Sequence, residues 1–267
     1  MRKAVLALLT LSLVPVVTGQ HRFDPVARSA GGVWLREGGD PWCTLGAPAL
    51  LSSVRRMQGG LAHFPAPWGI GELSGSAAVL AIPAGPGGIG LSVTRFGFDL
   101  YAETNLGVAY GGSAGILLYG IGARYRHLRI ERYGSAGVPC IDAAVVIVTG
   151  DWFRWGIRIT DVNRPALGRT GERVRESVSL AVAFFPPGAP SLAFQAERDE
   201  LGSFSTKAGV SYKGEILSVR FGMSGSFTRI HCGLEVTPGG LGIGYGVVVH
   251  PELGWSHSAW LVIDIAS

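Results

Sequence analysis

Charge is scarce in this chain. Only 16% of its 267 residues are Asp, Glu, Lys or Arg, against roughly 25% in an ordinary globular protein, and 47% are apolar. That balance excludes a disordered tail. Cysteine is scarce too: Cys43, Cys140 and Cys232 are odd in number and widely spaced, with neither a C-x-x-C pair nor a Cys/His ligand spacing. A zinc site and a disulfide framework are not expected, although one bridge stays open in an oxidising compartment. The basic residues gather on no stripe, so the footprint of a nucleic-acid binder is missing. Past the first 19 residues no run of 18 apolar residues occurs, residues 143–148 being the nearest. A mature chain that enters a membrane would therefore not do so with helices.

The first 19 residues have their own logic. Met1-Arg2-Lys3 is followed by an apolar run over residues 4–17 and a small Val17-x-Gly19 pair, the order of a secretory signal peptide cleaved before Gln20. No Cys follows the cleavage point, so a lipid anchor is not indicated. Without Arg2 and Lys3 the charge falls from +4 to +2.

From about residue 75 onward the apolar positions recur every second residue. Phe153, Trp155, Ile157 and Ile159 lie on one side of a run, with Arg154, Gly156, Arg158 and Thr160 on the other. Helical spacing cannot produce that split, whereas a strand must. It recurs at residues 207–213 and 228–236, and in runs at 89–93, 102–110, 178–184, 192–198, 217–223 and 241–249. Eleven to fourteen strands are expected. Short Gly/Pro connections join them, including residues 83–88, Gly111-Gly112, 134–137, 186–188, Lys213-Gly214 and 238–240, as suits antiparallel neighbours. The longest irregular stretch, residues 162–176, reads as a surface loop.

A soluble sandwich would show abundant charge on its outer face. Here one face is Trp, Phe, Ile, Leu and Val, and the other is mostly Gly, Ser, Ala and Thr with scattered Arg, Glu and His. This suits an apolar face toward lipid and a small-polar face lining an interior. The expected fold is thus an all-β, antiparallel transmembrane β-barrel of about 12–14 strands, with Tyr101, Tyr110, Tyr133, Trp152, Tyr212, Trp255 and Trp260 as interfacial aromatics. Arg154, Arg158, Arg220, Arg229, His231 and Glu235 fall on the interior face. Residues 20–58 lack alternation and read as a plug segment with a turn or two of helix, ahead of a barrel over residues 59–267.

Candidate chemistry is thin. Gly111-Gly112-Ser113-Ala114-Gly115 spells a G-x-S-x-G elbow, but that motif needs a helix after it, and residues 115–124 continue as strand. A hairpin turn is expected there instead. The glycine-rich stretches 85–90 and 239–246 precede no helix that could cradle phosphate; they read as turn and strand glycines that let backbone or a plug approach. The six histidines show no metal-ligand spacing, and His250 and His257 are expected to shape the last hairpin. No enzyme activity, metal or cofactor is expected.

Three stretches resemble a known family. Residues 23–32 with Gly39-Asp40-Pro41-Trp42 and Gly46-Ala47-Pro48-Ala49-Leu50 resemble the opening of PorV/PorQ-type outer-membrane proteins, which belong with the FadL-like barrels. Residues 103–111 resemble a strand of that family, and residues 245–257, with His250, Leu253, Gly254 and His257, resemble its closing hairpin. The Asn and Gly of the family's N-P-A-G-L core are missing here, and the C-terminus lacks the terminal aromatic of barrel assembly signals. The resemblance implies a roughly fourteen-stranded plugged barrel in the outer membrane, in contact with its lipid. Its role would be type IX protein secretion or surface attachment, with secretion-system proteins or secreted cargo as partners. A FadL-like conduit for hydrophobic small molecules is the alternative and implies a lateral opening and a mobile N-terminal segment. A soluble periplasmic or secreted β-protein is the third reading.

Overall fold

Strands that are apolar on one face and small or polar on the other can enclose the small-polar face by closing into a ring. The computed structural model describes residues 23–167, 172–174, 176–198 and 202–266, so the expected signal peptide lies outside the described residues. Fourteen strands form a closed barrel. The first seven are β1 (Met57–Phe64), β2 (Gly75–Ala84), β3 (Gly87–Phe98), β4 (Tyr101–Ala114), β5 (Leu117–Ile130), β6 (Gly134–Thr149) and β7 (Phe153–Thr160). A two-residue ribbon, β8 (Ala166–Leu167) with β9 (Glu172–Arg173), interrupts the connection that was expected to be irregular throughout. The ring continues with β10 (Ser177–Phe184), β11 (Ser191–Arg198), β12 (Phe204–Lys213), β13 (Leu217–Ser224), β14 (Arg229–Val236), β15 (Leu241–His250) and β16 (Gly254–Ala266). Every barrel strand pairs antiparallel with its sequence neighbour in the ring, and β1 closes on β16.

Alternation sets the two faces. Leu91, Leu106, Ile121, Ile157, Phe194 and Phe221 are exposed on the outside, while Thr94, Asn105, Arg124, Arg158, Ser179 and Gln195 are buried on the inside. Three positions differ from the sequence reading. Residues 134–137 are not a connection: they open β6 in register with β5, and the turn is made by residues 131–133. Gly111-Gly112 is not a turn: it lies within β4, and the hairpin is made by Gly115-Ile116, where Gly115 has φ +60° as a two-residue loop demands. Trp260 is not an interfacial aromatic. It is 3% exposed and points inward, donating its indole N–H to Glu235 Oε2 at 2.8 Å. Its ring fits because a Cβ on the cross-strand Gly244 would lie under 3.0 Å from it.

Residues 23–56 run inside the ring. A short helix over Pro25–Ser29 starts with Pro25 in its first turn and Asp24 as N-cap, whose Oδ1 accepts from Ala27 N at 2.9 Å. Another spans Cys43–Gly46, and a 3-10 helix spans Pro48–Ser53. Trp34, Leu35, Trp42, Cys43, Leu50 and Leu51 are at most 1% exposed.

Candidate functional site

The interior is the only concave region in which this chain gathers polar side chains against its own N-terminal segment among the described residues. Glycine makes that contact possible. A Cβ on Gly111 or Gly120 would fall under 3.0 Å from Pro48, one on Gly209 or Gly222 from Ala30, and one on Gly233 from Ser29. At Gly111, Gly120, Gly209 and Gly222 main chain therefore lies on main chain, and at Gly233 the Ser29 side chain fills the space, a spacing only glycine allows. Of the glycine-rich stretches, Gly88 and Gly90 meet Leu51 and Thr44 of the inner segment, whereas Gly244 makes room for Trp260 of the wall.

Polar anchors fix the segment. Arg158, 1% exposed, donates to the Gly46 carbonyl at 2.6 Å and lies over the Trp34 ring at 5.6 Å. Arg154 donates to the Glu37 carbonyl at 2.7 Å and covers the Phe185 ring. Gln195 Oε1 accepts from Trp34 N at 3.1 Å. Arg28 donates to Ser256 Oγ at 2.7 Å, and burial, reinforced by Arg229, lowers its pKa to about 10.

A charged cluster sits within the segment itself. Arg36 pairs with Asp24 at 2.9 Å and with Asp40 at 3.0 Å. Burial raises Asp24 to about 6 despite the guanidinium. Burial also acts upward on Asp40, but Arg36 outweighs it and holds this carboxyl below its ordinary range. Asp40 further accepts from Trp42 N at 2.9 Å, closing the Asp40-Pro41 turn. Burial pushes the Cys43 thiol well up. A cavity of about 220 Å³ lies beside this cluster, walled by Val26, Val33, Leu35, Trp42 and Phe185, with Arg36, Arg220 and Glu235 among its polar lining.

The sequence-selected residues do not converge on one centre. Arg154 and Arg158 hold the inner segment; Arg220 pairs with Glu235 at 3.3 Å beneath Trp260; His231 Nε2 meets Ser224 Oγ at 2.7 Å, with Arg229 two residues away. Among the motif residues, Pro48, Ala49 and Leu50 form the buried 3-10 turn. His250 Nδ1 accepts from Glu252 N and Leu253 N, Gly254 has φ +84°, and His257 meets the Tyr245 hydroxyl at 2.6 Å. Cys43, Cys140 and Cys232 are unbridged.

Sequence reading missed an ionic ladder on the inner wall. Arg124 pairs with Asp161, and with Asp142 at 3.3 Å; Arg126 reaches Glu103 at 3.6 Å and Asp161 at 3.8 Å. The signal was present in β5, where Arg124 and Arg126 alternate with Ala123 and Tyr125. His127 and Arg129 on the apolar side, and Leu128 on the other, blur the pattern at that end.

The lateral opening implied by a conduit is absent among the described residues. Pairing runs without a break from β16 through β7. Where β6 outruns β7, Asn163 covers its edge, accepting from Ile141 N at 3.0 Å and donating to the Pro139 carbonyl at 2.8 Å.

No protein-family model matches the chain, and no curated protein sequence matches it. Solved structures do. The toluene transporter TbuX of Ralstonia pickettii aligns with a TM-score of 0.60 at 12% identity, covering 94% of this chain and 98% of that one. The toluene transporter TodX of P. putida gives 0.63 at 11%, covering 90% and 98%, and a FadL homologue of Pseudomonas aeruginosa gives 0.61 at 12%, covering 92% and 98%. At such identities the likeness is one of fold: a fourteen-strand FadL-like barrel.

Proposed function

We propose that this chain is a non-enzymatic outer-membrane barrel that passes small hydrophobic compounds, with its N-terminal segment as the displaceable plug. The carrying observation is the barrel's lumen, filled by residues 23–56 and leaving a cavity of about 220 Å³ beside Trp42 and Phe185. The structural neighbours described as toluene transporters support the same reading. So does the outer face. On β6 the outward positions Ile147, Val145, Ala143, Ile141 and Pro139 are followed by Gly137 and Ser135. The eight steps from Pro139 to Ile147 rise roughly 20 Å along a tilted strand, close to the ~25 Å apolar band of an outer-membrane barrel.

In this reading the short-turn end, where Met57 and Ala266 lie, faces the periplasm, and the arginines lining the lumen hold the plug by its carbonyl groups. Export would use the leader at residues 1–19. The test is fractionation followed by uptake: the protein is expected in the outer membrane, and vesicles with a lipopolysaccharide outer leaflet that contain it are expected to take up toluene faster than the same vesicles without it. Equal uptake, or release of the protein by carbonate wash, overturns the proposal. Secretion or surface attachment of the PorV/PorQ kind rests on sequence motifs alone, and co-purification of type IX components would favour it over transport.

A further inference from the structure

The outer wall is not uniform around the ring. On β10 to β16 the outward positions nearest the loop end are Val178, Arg198, Phe204, Met223, Ile230, Val249 and Trp255, with one charge among them. On β1 to β5 the outward positions nearest the loop end are His63, Ser76, Gly97, Ala102 and Arg129, and a polar cross-strand row lies at or just below them: His63 pairs with Ser76, Ser76 with Arg95, Arg95 with Thr104, and Thr104 with His127. Arg129 follows His127 by two residues and so keeps the same face. Arg95 and Arg129 are exposed and make no ion pair among the described residues. The acidic neighbours Glu72, Asp99 and Glu131 lie in the connections, not on the wall.

Directly below Arg95 the apolar wall is grooved. One open furrow of about 570 Å³ runs over Leu61, Ala78, Val93, Ala259 and Leu261 and is topped by His63, Ser76 and Arg95. A second, of about 780 Å³, runs over Ala78, Leu91, Val93, Leu106, Ala123 and Ile141. Both exist because Ala78 and Ala123 present a methyl group where their outward neighbours present Leu, Val or Tyr. They flank β3 and share Ala78 and Val93. Arg95 thus tops the first furrow and stands two residues from Val93, which lines both, and Arg129 stands two strands over and two residues along, roughly 12 Å away between α-carbons.

We propose that this face holds one phosphorylated, multiply acylated lipid of the surrounding bilayer, with its phosphate on Arg95 and Arg129 and its chains in the two furrows. Guanidinium groups bind phosphate through paired, charge-assisted hydrogen bonds, and the furrows supply the chain-shaped apolar area that free phosphate would not use. The site rests on the bilayer reading above but is separate from transport.

The test is native mass spectrometry of the full chain in detergent, with bis-phosphorylated lipid A as the probe. The expected result is one retained lipid whose apparent affinity falls at least about tenfold in Arg95→Gln/Arg129→Gln, and which is unchanged in Arg198→Gln on the far side. Equal binding of dephosphorylated lipid A, no retained lipid, or displacement by inorganic phosphate alone overturns the site. Cold-against-boiled gel mobility is run on each variant. If the double arginine variant does not close, Ala78→Phe/Ala123→Phe, which fills the furrows and spares both arginines, is expected to lose the lipid, and undiminished binding there overturns the site equally. A wild-type chain without a mobility shift refutes the membrane barrel itself, whereas a shifting barrel that binds both lipids alike refutes only this site.

Discussion

Gly120 and Gly122 offer a matched test of whether the inner segment is a separable plug. Both sit on β5 and face inward, and neither has a left-handed backbone. A methyl at residue 120 would fall under 3.0 Å from the Pro48 carbonyl carbon and from Ala49 N and Cα, all main-chain atoms that no rotamer change can move. At residue 122 the nearest atoms stand at 3.8 Å, an ordinary contact. Overpacking of this kind costs about 1–3 kcal/mol, so Gly120→Ala should raise the displaced fraction of the segment roughly 5- to 150-fold, and Gly122→Ala should leave it unchanged. Cys43 reports the difference. It is fully buried in the segment with its thiol pKa pushed up, so maleimide reaches it only after opening. In a Cys140→Ala/Cys232→Ser background the Cys43 labelling rate should rise by that factor in Gly120→Ala, with the heat-dependent gel shift of a closed barrel retained. Equal labelling in the two variants would refute the docking account.

The anchors should grade by burial. Arg158→Met leaves the Gly46 carbonyl unpaired inside the barrel, a loss of about 1–3 kcal/mol, and Cys43 labelling should quicken about fivefold or more. Arg154→Leu gives up one carbonyl bond and a ring contact, worth about 1 kcal/mol; the barrel should still insert and shift on boiling, and failure to assemble would show that Arg154 does more than hold the segment. Acidity should act through Asp24. Its folded-state pKa of about 6 exceeds its ordinary 3.8, so the stability tied to its proton is complete below 3.8 and is lost as pH rises through 6. Asp40, with its lowered pKa, acts only below that window. Amide-exchange protection of residues 42–51, corrected for intrinsic rates, should therefore fall between pH 4.5 and 7 in the wild type, and the fall should be smaller in Asp24→Asn.

The wall was largely legible because strand alternation is a local rule. Each of the runs at 207–213, 217–223 and 228–236 carries its own two-residue period, and the structure places those residues on β12, β13 and β14. Parity alone would also have turned Trp260 inward, since Ser256 and Ser258 share its face; its residue type suggested the interface instead. Gly111-Gly112 was misread because a glycine pair is both a turn signal and a seat for close main chain. The seat shows only once Pro48 is known to lie above it.

The inner segment was the opaque part, for a physical reason that bears on function. Wall contacts join neighbouring hairpins, whereas the segment is held by bonds such as Arg158 to Gly46 and Gln195 to Trp34, which are 112 and 161 residues apart in sequence. No short window contains both partners. Contacts of such separation carry a large loop-closure entropy, as does the β1–β16 pairing that closes the wall. The strand pairing that closes the ring uses no residue before Met57, while the segment is held by its polar anchors and by the buried side chains of Trp34, Leu35, Trp42, Leu50 and Leu51. The proposed conduit requires that the segment leave while the wall remains, and Cys43 labelling with the gel shift retained reads both at once.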